Sequence, residues 1–323
     1  MELIKNSPDA GQVDGDGIDR RGFLKCMQWA GTGVVWSFAA GVPVSAVLGA
    51  DKKKAEKTSG FTFVQISDTH MGFNRPANTD VAGTLRATVD KINALPHQPD
   101  LILHTGDLTH LAKAQEFDAL EQNLKSLKQG QVFYVPGEHD LTGDDGKQYM
   151  ERFGKGAMGT GWRSFDHKGI HFVGLNNAVQ LEGLGMIGSP QLDWLRKDLS
   201  GLSASAPVVV FAHIPLWAVY PEWGWATKDS EEAMGMLKRF GSVTVLNGHI
   251  HQVLQKTEGN VTFHTALSTA FPQPAPGSAP SAGPMTVPAN KLRQVLGIGE
   301  VSFVVNRHPL AVVNSRLESP SVE

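Results

Sequence analysis

Cysteine is all but absent: 323 residues contain one, Cys26. A lone thiol forms no internal disulfide, and beyond it the chain has no thiolate to hold a metal. Net charge is scarce too. The 29 basic and 32 acidic residues leave −3, so nothing in bulk electrostatics points to an anionic membrane, and no stable nucleic-acid binding is expected. No internal repeat is visible. What is present is a soluble globular balance, 41% hydrophobic and 19% charged, at a length that suits one large domain or two small ones. Twelve histidines are a generous number, and their clustering carries more information than the count.

The N-terminus reads as an address. Residues 1–19 are polar and aperiodic, Arg20-Arg21-Gly22-Phe23-Leu24-Lys25 follows, and from Cys26 to Ala50 there is no charged residue. This resembles a twin-arginine export signal, with small residues for cleavage at Ala46 or Ala50. The alternative is an uncleaved membrane anchor, which the length allows and the weak hydrophobicity and Pro43 oppose. The resemblance implies use of the twin-arginine export machinery and a periplasmic or extracytoplasmic destination. The expected organisation is a leader over 1–50, a Lys-rich linker over 51–60, and one domain over 61–323.

Along that domain, alternation and β-rich runs predict strands at Phe61–Ser67, Asp100–His104, Val132–Val135, Trp162–Asp166, His171–Leu175, Pro207–Ala212, Val243–Leu246, Val261–Thr265, Glu300–Val305 and Leu310–Asn314. Helical spacing predicts helices at Ala82–Leu95, Ala112–Lys128, Gln148–Phe153, Gln191–Leu199 (with Ser189 as N-cap and Pro190 at the first position) and Glu231–Arg239. Phe271–Pro288, rich in Pro, Ala, Gly and Ser, reads as a long loop. Strands alternating with helices indicate an α/β layered fold. Gly183-Leu184-Gly185-Met186-Ile187-Gly188 spells a dinucleotide fingerprint, but the helix can begin only at Ser189-Pro190, after the glycines. Its N-terminus is therefore not presented as that motif requires, and a flexible loop is the better reading.

Five predicted strands deliver His, Asp or Glu at or just past their C-terminal ends: Asp68 and His70, Asp107, Glu138 and His139, His213, and His249 and His251. In α/β sheets that edge is where sites are built. Each segment alone is weak, since a lone Asp-x-His is more often a surface turn. Together, in one order and always at a strand end, they predict a metal site.

The order D-x-H, G-D, G-[N]-H-[DE], H, G-H-x-H resembles the calcineurin-like metallophosphoesterase family across about Phe61 to Pro274. GDLTH, GHIHQV and LSTAFPQP bring it nearest the class III cyclic-nucleotide phosphodiesterases. The resemblance implies a two-sheet β-sandwich core flanked by helices. It also implies Asp68, His70 and His251 on a first metal, Asp107 bridging, His213 and His249 on a second, and His139 as catalytic histidine. The expected activity is hydrolysis of a phosphate ester, a diester rather than a monoester and with nucleotides among the candidate substrates, by a metal-activated water.

The residue types suit this chemistry. Imidazole with carboxylate favours two divalent or mixed-valence ions of Mn, Fe or Zn, and a shared Asp can hold two ions about 3.5–4 Å apart. One position departs from the pattern: Glu138 replaces the usual Asn, so the second metal gains a carboxylate and the site a negative charge. That departure keeps open a metal-binding interaction module with little turnover, and the His-rich ligation permits redox chemistry at a di-iron centre. His110, Asn74 and Arg75 are candidate phosphate contacts on loops beside the ligands. Trp217, Tyr220, Trp223 and Trp225 form either a stacking wall or packing within a rigid loop. His104, His167, His171 and His264 have no motif context and default to structural roles.

Overall fold

The computed structural model describes residues 60–180, 184–304 and 307–319 (between 304 and 309 the backbone alone), together with the backbone of 34–39 and 42–47. The chain divides into two compact units, Met1–Thr58 and Ser59–Glu323. In the first, β1 (Val34–Ala39) and β2 (Val42–Val47) pair antiparallel. The Arg20-Arg21 pair, Cys26, the cleavage position at Ala50 and the linker over 51–59 lie outside the described residues. Among the described residues no helix is long and apolar enough to cross a membrane.

In the second unit, one sheet has the order β13-β12-β3-β4-β5 and the other β10-β11-β9-β8-β7-β6. The first is made of β3 (Phe61–Ile66), β4 (Leu101–Thr105), β5 (Gln131–Val135), β12 (Gly297–Val304) and β13 (Arg307–Arg316). β3, β4 and β5 run parallel, and β12 and β13 extend the sheet antiparallel. The second is made of β6 (Arg163–His167), β7 (Ile170–Leu175), β8 (Val208–Ala212), β9 (Val243–Asn247), β10 (Gln255–Glu258) and β11 (Val261–Thr265). Its four inner strands are parallel, and β6 and β10 close its edges antiparallel.

Parallel strands covered on both faces read as continuous apolar runs, which is why LILHT, VVVFA and VTVLN are buried along their whole length. The sheets meet over Phe63, Leu103, Phe172, Val209, Phe211, Leu246 and Val301. Full burial of side chains of this size is worth about 1.5–3 kcal/mol each. Helices α1 (Val81–Asn93), α2 (Ala114–Leu124) and α3 (Lys147–Phe153) cover the first sheet through Leu85, Val89, Phe117, Leu120 and Tyr149. Helices α4 (Ser189–Ser200) and α5 (Ser230–Leu237) cover the second through Leu192, Leu195, Ala233 and Leu237. A one-turn helix, α6 (Leu292–Val295), precedes β12. The expected two-sheet α/β fold flanked by helices is what forms.

Several boundaries differ from expectation. Glu116 Oε2 accepts from Leu111 N at 2.8 Å and Lys113 N at 3.4 Å, Ala112 takes φ 50°, and α2 therefore starts only at Ala114. Ser189 is the first residue of α4 rather than its cap; Gly188 stands at the cap position. The turn before it is pinned by Asp229, whose carboxylate accepts from Ile187 N and Gly188 N, each at 2.8 Å. The described glycines there thus form a tethered loop and no fingerprint helix.

Candidate metal centre

β3, β4 and β5 are neighbours in one sheet and β8 and β9 in the other, so their C-terminal ends converge. Gln65 links the sheets, donating from Nε2 to Thr105 Oγ1 at 3.0 Å and to the Asn247 carbonyl at 3.1 Å. The chain then turns sharply at each end. Asp68, His70, Asp107, His249 and His251 all have φ between 40° and 70°. This left-handed region is costly for most residues and least so for Asn, Asp and His. Five strained residues at one edge are held by their surroundings: Asp68 N donates to Gly106 O and His70 N to Asp107 O, both at 3.0 Å. Gly106 has φ 94°, and a Cβ there would stand 2.5 Å from His213 Nδ1, so glycine is required.

Asp68, His70 and His251 bring one ligand atom each within 4.8 Å of one another, and Glu138, His213 and His249 do the same. All six are buried. Asp107 lies between the groups, with Oδ2 3.5 Å from His70 Nε2 and 3.4 Å from His213 Nε2. Glu138 reaches both its neighbours, Oε2 to His213 Nε2 at 3.0 Å and Oε1 to His249 Nδ1 at 3.0 Å. His213 Nε2 and Glu138 Oε2 nevertheless have no hydrogen-bond partner, and neither does His249 Nε2. Buried polar atoms that face one another without bonding fit a shared electrophile between them. Three buried carboxylates also require cations, and two divalent ions meet that need. The residues therefore fit the pair of metal ions that the ligand pattern implies.

Backbone carbonyls set the imidazoles. His213 Nδ1 donates to Thr105 O at 2.7 Å, His251 Nδ1 to Phe271 O at 2.6 Å, and His139 Nδ1 to His110 O at 2.7 Å. A carbonyl only accepts, so the proton sits on Nδ1 and Nε2 is left to face the site. His70 is held differently, by Phe271 stacked on it with centroids 4.8 Å apart. Burial pushes the Asp68 carboxyl up, but His251 and His213 outweigh it and hold it at about 2. Glu138 is likewise kept well below the carboxylate range, with His249 and His213 overcoming burial. For His139, burial favours the neutral ring, while Asp107 and Glu138 prevail and raise its pKa.

Of the candidate phosphate contacts, His110 sits at the rim with its ring stacked on His139, centroids 4.9 Å apart. Asn74 and Arg75 are exposed on the loop after His70, and neither side chain bonds to the ligand set. Trp225 is fully buried and Trp217 packs on Phe263 at 5.0 Å; both are packing residues. Tyr220 and Trp223 are half-buried and meet edge to face at 5.3 Å.

Two residues outside the candidate ligands support the site, one of them, Asp140, at the last position of the G-[N]-H-[DE] pattern. Buried Asp140 accepts from Leu108 N at 3.0 Å, Thr109 N at 2.8 Å, Thr109 Oγ1 at 2.9 Å and Gly137 N at 3.0 Å, locking the Asp107 loop to the Glu138 loop. His104, expected to be merely structural, contacts Thr69 Oγ1 from Nε2 at 3.1 Å, between Asp68 and His70. Ser268 adds a tie from the last loop, donating to Asp68 O at 2.9 Å.

Residues 61–253 match the family described as calcineurin-like phosphoesterase. The chain is 27% identical over 216 residues to a 3′,5′-cyclic-nucleotide phosphodiesterase of Nostoc, covering 65% of this chain and 79% of that one. It is 26% identical over 216 residues to a protein of Arcobacter nitrofigilis named probable glycerophosphodiester phosphodiesterase, covering 64% and 77%. Among solved structures it shares the fold of a dimetal phosphatase from Danio rerio, at TM-score 0.60 and 16% identity over 80% of this chain and 97% of that one.

Proposed function

The chain belongs to the calcineurin-like phosphoesterase family, whose dimetal hydrolase chemistry it shares, and on that premise we propose that it hydrolyses a small phosphodiester. The observation that carries the reading is the place of Asp107 Oδ2, within 3.5 Å of a ligand nitrogen from each cluster. Asp68, His70 and His251 would hold one metal ion, Glu138, His213 and His249 the other, and Asp107 both. Their mixed imidazole and carboxylate donors suit Mn, Fe or Zn. Bound there, such a pair supplies Lewis acidity toward a phosphoryl group and activates water for in-line displacement.

The protein's own contribution is orientation and proton transfer. His139 acts as the imidazolium that its raised pKa favours: its Nδ1 proton stays on the His110 carbonyl, and its Nε2 proton passes to the leaving oxygen. The backbone N–H of His139 donates to Asp107 Oδ1 at 3.0 Å, so the acid and the bridging carboxylate share one scaffold. Glu138 adds a negative charge that disfavours a dianionic monoester more than a monoanionic diester. The names of the two relatives, both diesterases, support the same preference. Reading the protein as a metal-binding module without turnover gains nothing from the geometry, because Glu138 stands where it can ligate.

The test is a panel of cyclic nucleotides, glycerophosphodiesters, bis(p-nitrophenyl) phosphate and p-nitrophenyl phosphate, each with Mn-, Fe- and Zn-loaded protein. Turnover of at least one diester above the monoester supports the proposal; monoester preference with every metal rejects the diester assignment. We also propose export through the twin-arginine route, supported by Arg20-Arg21 ahead of an uncharged stretch. Replacing both with Lys should strand precursor in the cytoplasm, and normal export of that variant would rule it out.

A further inference from the structure

Away from the proposed metal ligands, β5 and β6, each an edge strand of its own sheet, meet through their aromatic side chains. Phe133 of β5 stacks on Phe165 of β6 with centroids 3.9 Å apart and planes 13° from parallel. Beside this pair is a cavity of about 430 Å³ lined also by Tyr134, Arg152, Lys155 and Arg163, with no Asp or Glu in its wall. We propose that this cavity is a second anion site, which takes a phosphomonoester or phosphonate bearing an aromatic group.

Arg163 supplies the buried positive charge of this cavity. It is 7% exposed, and among the described residues it has no carboxylate partner. A guanidinium carries five N–H donors. Arg163 spends one on Phe153 O at 2.7 Å and one, weakly, on Lys155 O at 3.4 Å, and its Nε has no partner. Those carbonyls at the end of α3 offer partial negative charge only, whereas a buried guanidinium is costly without a full counter-charge. Lys155, exposed at the mouth, adds a second cation that has no ion pair among the described residues. Arg152 is paired with two carboxylates, Asp118 at 2.7 Å and Glu121 at 3.4 Å, so that trio carries one negative charge. Arg163, Lys155 and that trio together leave about +1 at the concavity, and the guanidinium of Arg163 with the ammonium of Lys155 is the pairing that recognises a phosphoryl group. The volume exceeds what one phosphate fills, and the Phe133–Phe165 pair offers the apolar wall for a ring.

The inference is independent of the hydrolytic reading. Isothermal titration of metal-loaded full-length protein with phenylphosphonate, which cannot be hydrolysed as an ester, tests it. Wild type should bind one equivalent that does not compete with diester hydrolysis, besides any that does, and methylphosphonate should bind that site more weakly. Lys155→Glu, at an exposed position, should weaken the non-competing site by about tenfold or more while leaving kcat/KM unchanged, and Arg163→Gln should abolish it. If Arg163→Gln does not fold, Lys155→Glu decides. Binding that is wholly competitive with hydrolysis, or unaltered by Lys155→Glu, overturns the proposal; equal affinity for the two phosphonates overturns the aromatic part of it.

Discussion

His139 Nδ1 donates to the carbonyl oxygen of His110 at 2.7 Å, while the His139 ring stands 4.9 Å from that of His70, a member of the first cluster. One hydrogen bond thus fixes the heading of the ring and holds its Nδ1 proton, leaving Nε2 as the position that exchanges a proton, and it comes from the loop that also carries Asp107. The position of the proposed acid is set by the same turn that places Asp107 between the two clusters.

His139→Ala should therefore cut turnover of a diester by about 10²–10⁴-fold, the range for loss of a general acid. Both metals should stay bound, because His139 is outside the two clusters. Steady-state rates with metal analysis of the same sample check this, and unchanged turnover would remove His139 from the chemistry.

Asp140→Ala leaves four donors of two buried loops without an acceptor. Unsatisfied buried groups cost about 1–3 kcal/mol each and partly relax, so a stability loss of about 3–5 kcal/mol is expected. Second-metal affinity should fall about 10–100-fold as the Asp107 and Glu138 loops loosen. Denaturant unfolding and metal titration read these separately.

Glu138→Asn removes a carboxylate that lies 3.0 Å from both His213 and His249. Monoesterase activity should rise relative to diesterase activity, and the ranking of Mn, Fe and Zn should change, since the second ion loses a charged ligand. Both activities of wild type and variant with each metal provide the check. A constant ratio and ranking would mean that Glu138 does not tune the site.

His171 lies far from these ligands in sequence, between Asp166 at 2.8 Å and Asp198 at 2.9 Å. Burial lowers its pKa, but the two carboxylates prevail and raise it. A raised folded pKa gives stability that is full below the ordinary histidine range and is lost as pH rises through the folded value. His171→Asn should thus cost about 1–2 kcal/mol near pH 6 and less at pH 9, as read from unfolding midpoints. A cost that grows with pH would contradict the pairing.

The five strand ends were legible because apolar runs and the acidic or histidine residues that stop them are both local features. Their convergence was legible only as order, since no single segment says which strands are neighbours. The contacts of Asp140, which the sequence marked only as the last position of a motif, and those of His104 were hidden for a different reason. Each residue acts through buried contacts 31 to 35 residues distant in sequence, and a lone polar residue announces no such partner. Strand β10 (Gln255–Glu258) was missed because all four of its residues are exposed at a sheet edge, which erases alternation. Phe271 was read as the start of a loop, yet it accepts from His251 and stacks on His70.

The central claim is that Asp107 joins two ligand clusters into one dimetal centre. Diester turnover of chelator-stripped protein, measured against added equivalents of Mn, Fe or Zn per chain, tests it most directly. The account predicts negligible activity without metal, a rise to a plateau at two equivalents, and loss of that rise in Asp107→Ala. Full activity in the stripped protein, a plateau at one equivalent, or an Asp107→Ala curve like that of wild type would contradict it.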